Sequence, residues 1–332
     1  MKSRINSAGT ASFSAYGRAS VAPSPVNRMM AAFAGDFRDG VDINLGVGYV
    51  NEETIPRAEV RRAFDTVLDN PDRYRLSLNY GGPDGSPNLI RAVRAFYLKH
   101  RIGGLDRRVL DRCGIAVGAS GATSILEGIA QIYKPGIVIT SDPQYYIYTD
   151  YLQRQGFTVV SVPEDGEGVD TTAVGAAVRA LGRRARDIRF LYVVTVNNPT
   201  CVILSNRRRR ALVGLARRIS AANSVPVPVF FDRAYEYLVH DPAVPALESG
   251  LLHDSTGLVY EIDTLSKILA PALRIGYMVG PRGPLMQAMV QKISDTGFSA
   301  PLLNQEAAGW LLTRSVTSQM RRVNAGYRKK AR

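Results

Sequence analysis

Along the middle of the chain, short apolar runs alternate with stretches in which apolar residues recur every three or four positions. A short strand starting at Ile115, then Ile137 to Thr140, Thr158 to Val162, Phe190 to Val196, Val227 to Asp232, Leu258 to Ile262 and Tyr277 to Val279 read as buried strands, each bounded by turn residues. Between them the spacing predicts a helix with Ile125, Leu126, Ile129 and Ile132, and helices over Tyr145 to Gln155 and Thr171 to Leu181. A further helix follows Ser205 and carries Leu212, Leu215 and Ile219. Strands alternating with helices predict an α/β fold with a mostly parallel central sheet and helices on both faces. Upstream, Pro56 opens a helix to about Asp69, and Leu89, Ile90, Val93, Phe96 and Tyr97 mark another after the turn-rich loop Leu78 to Pro87. Downstream lie a helix from Leu285 to Ile293 and a longer one from Pro301 to about Val323.

Composition narrows this picture. A chain of 332 residues, 45% hydrophobic, has room for one large domain and a smaller piece. No apolar run approaches the roughly 18 residues of a membrane span. Met1 to Ser24, rich in Ser, Ala and Gly, reads as a flexible arm without the apolar core of a secretory signal. Two distant cysteines, Cys113 and Cys201, argue against a disulfide framework or zinc site and favour the reducing cytosol. His100, His240 and His253 stand in no readable motif.

The net charge of +13 raises a nucleic-acid reading. Its densest run, Arg207 to Arg210, follows the helix cap Ser205, where cations oppose the helix dipole. It reads as a solvated helix face, which makes a nucleic-acid partner unlikely.

Ligands of open α/β sheets gather at the carboxyl ends of the strands. There the chain carries Asn198 and Pro199, then Asp232 with Tyr235, and Lys267 in the loop Thr264 to Gly276. Singly, each has an ordinary explanation: a turn, a helix cap, a surface lysine. Gly121, Ala122 and Thr123 open a helix whose free N–H groups and dipole suit an anion. Gly46, Val47 and Gly48 permit close backbone approach or form a plain turn. Tyr80 begins the Gly-rich loop and reads equally as a core aromatic.

Taken together, Ser266-Lys267 with Arg274-Ile275-Gly276, Asn198-Pro199-Thr200-Cys201, Asp232-Arg233-Ala234-Tyr235 and Pro143-Gln144-Tyr145-Tyr146-Ile147-Tyr148 resemble the fold type I, class I/II aminotransferases that use pyridoxal 5'-phosphate. The resemblance covers roughly Ile43 to Val323. It implies a Schiff base at Lys267, Asp232 on the pyridine nitrogen, Tyr235 and Asn198 on the phenolate oxygen, and Tyr145 stacked on the ring. It places the phosphate with Gly121, Ala122, Thr123, Thr264, Ser266 and Arg274, and Tyr80 at the site of a neighbouring subunit in a homodimer. Gly46, Val47, Gly48 and Asn198 would lie by the substrate.

The implied reaction is ping-pong transfer of an amino group from an L-amino acid to a 2-oxo acid. Another fold type I activity, such as a lyase or decarboxylase, and cofactor binding without catalysis are the alternatives. The implied organisation is an arm with a small-domain contribution (1–55), a cofactor-binding large domain (56–294), and an interdomain helix with the start of a truncated small domain (295–332). Three departures stand out. Cys201 replaces a usual glycine, Ala270 and Ala272 occupy small-residue positions, and the chain ends before the segment that in relatives supplies an arginine for the substrate carboxylate.

Overall fold

The computed structural model describes residues 12–38, 40–43 and 48–331. Its sheet contains β1 (Cys113–Val117), β2 (Ile137–Asp142), β3 (Thr158–Asp165), β4 (Gly168–Val169), β5 (Ile188–Val194), β6 (Val229–Asp232), β7 (Val259–Thr264) and β8 (Gly276–Pro281). Their order is β1-β8-β7-β6-β5-β2-β3-β4. From β7 through β3 the neighbours run parallel, whereas β8 is antiparallel to both β7 and β1, and β4 to β3. The mostly parallel sheet expected from the alternation is present.

The helices are α1 (Ala15–Ala19), α2 (Pro25–Asp36), α3 (Arg57–Leu68), α4 (Pro87–His100), α5 (Arg107–Arg112), α6 (Gly121–Ile132), α7 (Tyr146–Arg154), α8 (Thr171–Ala180), α9 (Asn206–Asn223), α10 (Pro284–Asp295), α11 (Leu302–Arg314) and α12 (Val316–Lys330). Successive strand residues point to opposite faces, so one apolar run feeds two cores. Ile137, Ile139, Leu191 and Phe231 pack with α3, α4, α8, α9 and α11, while Val138, Phe190, Tyr192 and Phe230 pack with α6, α7 and α10.

Three expectations need correction. The arm holds a helix: α1 starts where the Ser14 hydroxyl accepts the Gly17 N–H, and Ser24 caps α2 in the same way. Composition hid these capping signals. The long helix from Pro301 is two, because Ser315 leaves helical backbone at φ −127° and its hydroxyl bonds back to the Leu311 carbonyl.

The Arg207 to Arg210 run is not a solvated face throughout. Ser205 caps α9 as expected, but Arg208 and Arg209 are buried. Each arginine of the run meets a carboxylate: Arg207 Glu167, Arg208 Asp165, Arg209 Glu236 and Arg210 Glu248. A buried guanidinium survives only when paired, and here the partners come from distant strands and loops.

Candidate active site

β5, β6 and β7 all end at one edge of the sheet, and β8, running the other way, begins there. Asp232 closes β6 and Thr264 closes β7, while Asn198 follows β5, Tyr145 follows β2 and Arg274 precedes β8. The topology therefore brings them together. Ala122, Thr123, Tyr145, Asn198, Asp232, Tyr235, Thr264, Ser266, Lys267 and Arg274 line a single cavity of about 130 Å³. A wider cleft of about 590 Å³, lined by His100, His240, Arg321 and Arg328 among others, contains none of these strand-end residues.

At one end of the cavity lies Asp232. The Tyr192 hydroxyl donates to its Oδ2 at 2.8 Å and the Ala234 N–H to its Oδ1 at 3.0 Å. Burial raises its carboxyl above the usual range, partly offset by these donors and by Lys267. Burial lowers the Lys267 ammonium, although Asp232 draws it back up and Arg274 pushes it down again. Its Nζ sits 5.3 Å from the Tyr235 ring centre. The Asn198 amide donates to the Tyr235 hydroxyl at 3.3 Å, and burial pushes the Tyr145 phenol up to about 12. Asn197 donates to the Pro143 carbonyl and to Glu164, both at 2.8 Å, tying the loop of Asn198 to that of Tyr145.

At the other end is the start of α6. Ser120 gives it no side-chain cap, so the N–H groups of Ala122 and Thr123 stay open to an anion. Gly121 differs from the expectation, because its own N–H donates to the Arg274 carbonyl at 2.8 Å. Its contribution is room: a Cβ there would stand 3.0 Å from Arg274 Nη2. Gly276 matters more, since a Cβ on it would come within 2.2 Å of the Ala122 nitrogen. Arg274 is held by Ser120, through Nε to Oγ at 3.2 Å and Nη2 to the carbonyl at 3.0 Å. Thr264 Oγ1 donates to the Ile275 carbonyl at 2.8 Å and lies 2.9 Å from Ser266 Oγ.

Other predicted positions fall elsewhere. Tyr80 is 79% exposed, outside the cavity, with its ring 5.9 Å from that of Phe298. Gly48 is exposed, and Gly46 and Val47 lie outside the described residues. Sequence reasoning missed Tyr192, hidden in an apolar strand, and the close approach at Gly276.

Cys201, beside the cavity, keeps the left-handed backbone its position demands, at φ +61°. That conformation costs a non-glycine residue about 1–2 kcal/mol, against a smaller entropic penalty for glycine. Cys201→Gly is expected to stabilise the fold by roughly 0.5–1 kcal/mol, raising the urea midpoint. A lowered midpoint would contradict backbone strain here.

Behind the cavity wall, the Asp263 carboxylate accepts from the Thr264 N–H at 2.7 Å, the Tyr97 hydroxyl at 2.8 Å and the Tyr237 hydroxyl. Burial pushes it up to about 7, against the pull of Arg233 and these donors. A folded value above the unfolded one means that the stability involved is complete below about pH 4 and is lost as pH rises through about 7. The change is on the order of 2–4 kcal/mol. Asp263→Asn should flatten the pH dependence of the urea midpoint between about pH 4 and 7. An undiminished slope would place the titration on another group.

The family model for aminotransferase class I and II matches residues 41–328. Among curated proteins, an uncharacterised HTH-type transcriptional regulator, YisV, of Bacillus subtilis is 26% identical over 271 residues, covering 81% of this chain and 51% of the relative. Aminotransferase tdiD of Emericella nidulans is 26% identical, covering 71% of this chain and 55% of the relative. The chain thus spans about half the length of these curated relatives. In fold it is similar to a kynurenine aminotransferase from Pyrococcus horikoshii, with a TM-score of 0.84 at 22% identity over 98% of this chain and 76% of that one. With the cavity residues in place and the family match spanning most of its length, the chain belongs to the class I and II aminotransferases.

Proposed function

We propose that the chain binds pyridoxal 5'-phosphate in the strand-end cavity and moves an amino group from an L-amino acid to a 2-oxo acid. The observation that carries this reading is the convergence of a desolvated lysine, a buried carboxylate and an open helix N-terminus with an arginine. That donor set fits the cofactor group by group. The N–H groups of Ala122 and Thr123, the Ser266 hydroxyl and the fixed charge of Arg274 suit its phosphate, and Thr264, whose hydroxyl proton goes to Ile275, supports the Ser266 hydroxyl and N–H. Asp232 suits a protonated ring nitrogen, which would also lower the raised pKa of this carboxyl. Tyr235 and Asn198, hydrogen-bonded to each other at the cavity, would suit the ring hydroxyl, and the Tyr145 ring would suit stacking.

When bound, the cofactor supplies an electron-poor ring that stabilises negative charge at the substrate Cα. Lys267 is the amine for covalent attachment, and its lowered basicity lets the free amine take the Cα proton and return it. Asp232, kept in place by Tyr192 and Ala234, would hold the ring nitrogen's proton. Tyr235 and Asn198 would orient the ring, and Tyr145 would exclude water from its face. The two half-reactions follow a ping-pong order.

The reading includes a homodimer in which the exposed Tyr80 meets a neighbouring site, with 56–294 as the cofactor-holding domain. Among the described residues no helix is long and apolar enough to cross a membrane.

A second reading, cofactor binding without turnover, is supported by the match to the regulator YisV and by the cavity's own cations, which are only Lys267 and Arg274 among the described residues. Purified protein loaded with pyridoxal phosphate and given an amino donor with pyruvate or 2-oxoglutarate separates the two. Formation of the new amino acid supports transfer. Release of ammonia or CO₂ without it would point to elimination or decarboxylation, and a cofactor spectrum unmoved by donor would point to binding alone.

A further inference from the structure

Ion pairs do not absorb all of the chain's positive charge. Between Thr171 and Ser224 the single carboxylate is Asp187, 3.7 Å from Arg189. The Arg207 to Arg210 run meets carboxylates from other segments. Arg179, Arg183, Arg184, Arg186, Arg217 and Arg218 are all exposed and, among the described residues, pair with no carboxylate.

These arginines share one face. α8, the turn over 182–187 and α9 pack on one another, and the Asn223 amide at the end of α9 donates to the Ala185 carbonyl of the turn. Gly175 faces both Arg179 Nη1 and Leu215 Cδ2, so the Arg179 guanidinium lies along the seam between α8 and α9. Gly214 leaves similar space for Arg218 Nη1, 3.3 Å from where a Cβ would stand. The turn runs directly into Ile188, the start of β5, so the face lies at the amino end of the parallel strands. The cavity lies at the other end.

Like charges gathered without counter-charges repel one another, and a polyanion relieves that cost. Arginine forks match phosphate oxygens in pairs. Between Thr171 and Ser224 no large apolar side chain is exposed, and just past α9 the aliphatic Val225 is. A lone valine provides no aromatic for stacking single-stranded bases and little wedge for a lipid surface or anchor for a protein partner. Rows of phosphates on a double helix need none of these.

We propose that this arginine face docks on the phosphate backbone of double-helical nucleic acid without reading its sequence. Docking there leaves the cavity open, and it does not depend on which reaction the cavity performs.

The test is fluorescence anisotropy of the full chain with a labelled duplex of arbitrary sequence. With six phosphates neutralised, affinity should fall about 10³-fold between about 50 and 200 mM salt. Changing Arg179, Arg183, Arg184, Arg186, Arg217 and Arg218 together to Gln should weaken binding at least about 100-fold at low salt and flatten the salt slope. A control with the same net charge, changing the exposed Arg61, Arg62, Arg107, Arg108, Arg282 and Arg314 to Gln, should bind like the parent chain. Equal weakening in the control would reduce the effect to net charge and overturn the proposal. So would unchanged binding by the first variant, or binding to phosphatidylserine vesicles with none to the duplex.

Discussion

Lys267→Ala is expected to abolish covalent retention of pyridoxal phosphate and to lower amino transfer by about 10²–10⁴-fold or more, while the fold keeps its stability. The two halves of this result have one cause. Burial disfavours the Lys267 ammonium, so removing it lifts a desolvation cost. Among the described residues Lys267 makes no salt bridge, and the favourable charge it lends the buried Asp232 carboxyl is the one part of that gain given back. The same burial and the nearby Arg274 lower the ammonium's pKa from its usual value and so raise the share of free amine. The measurements are the cofactor's visible absorption after gel filtration, single-turnover formation of the new amino acid, and a urea melt. Turnover within tenfold of the parent would remove Lys267 from the chemistry. A large fall in stability would show instead that it has a structural task.

Arg233→Met should have the opposite profile, costing about 3–5 kcal/mol of stability. Arg233 is 1% exposed and bridges two buried carboxylates, with Nε 2.7 Å from Glu236 and Nη1 2.5 Å from Glu261. Burial alone pushes the Glu236 carboxyl up, but Arg209 and Arg233 overcome this and hold it at about 2. A depressed carboxyl contributes stability above its unfolded value, lost as pH falls from about 4.5 through about 2. Without Arg233, Glu236 keeps only Arg209, and Glu261 keeps only Ser249 Oγ and the Gly250 N–H. Urea melts at neutral pH read the loss, and adding Glu261→Gln should recover part of it. If the double variant is no more stable than the single one, the cost lies in packing. Arg233 stands between Asp232 and Tyr235, so weaker cofactor retention should accompany the loss.

The fold was legible because buried parallel strands are continuous apolar runs, and the helices between them carry clear periodicity. The site's place was legible for a related reason. Polar residues interrupting an apolar run at its carboxyl end, such as Asp232 after Val229 to Phe231, have to face the ligand edge of such a sheet. Long-range pairing was hidden. Nothing local announces that Arg209 reaches Glu236, or that Tyr192 supports Asp232 from within a strand. Gly121 shows the limit from another side: its type suggested a free N–H, and the neighbouring loop had already engaged it.

Asp232 and Thr264 end adjacent strands in the interior of the eight-stranded order, flanked by β5 on one side and β8 on the other. Strands in that position exchange their amide hydrogens last, since exposing them requires the sheet itself to come apart. The floor of the cavity therefore belongs to the most slowly opening unit of the molecule. A ligand anchored to both residues would leave through movement of the loops above them, and amides of β6 and β7 should remain protected while it does.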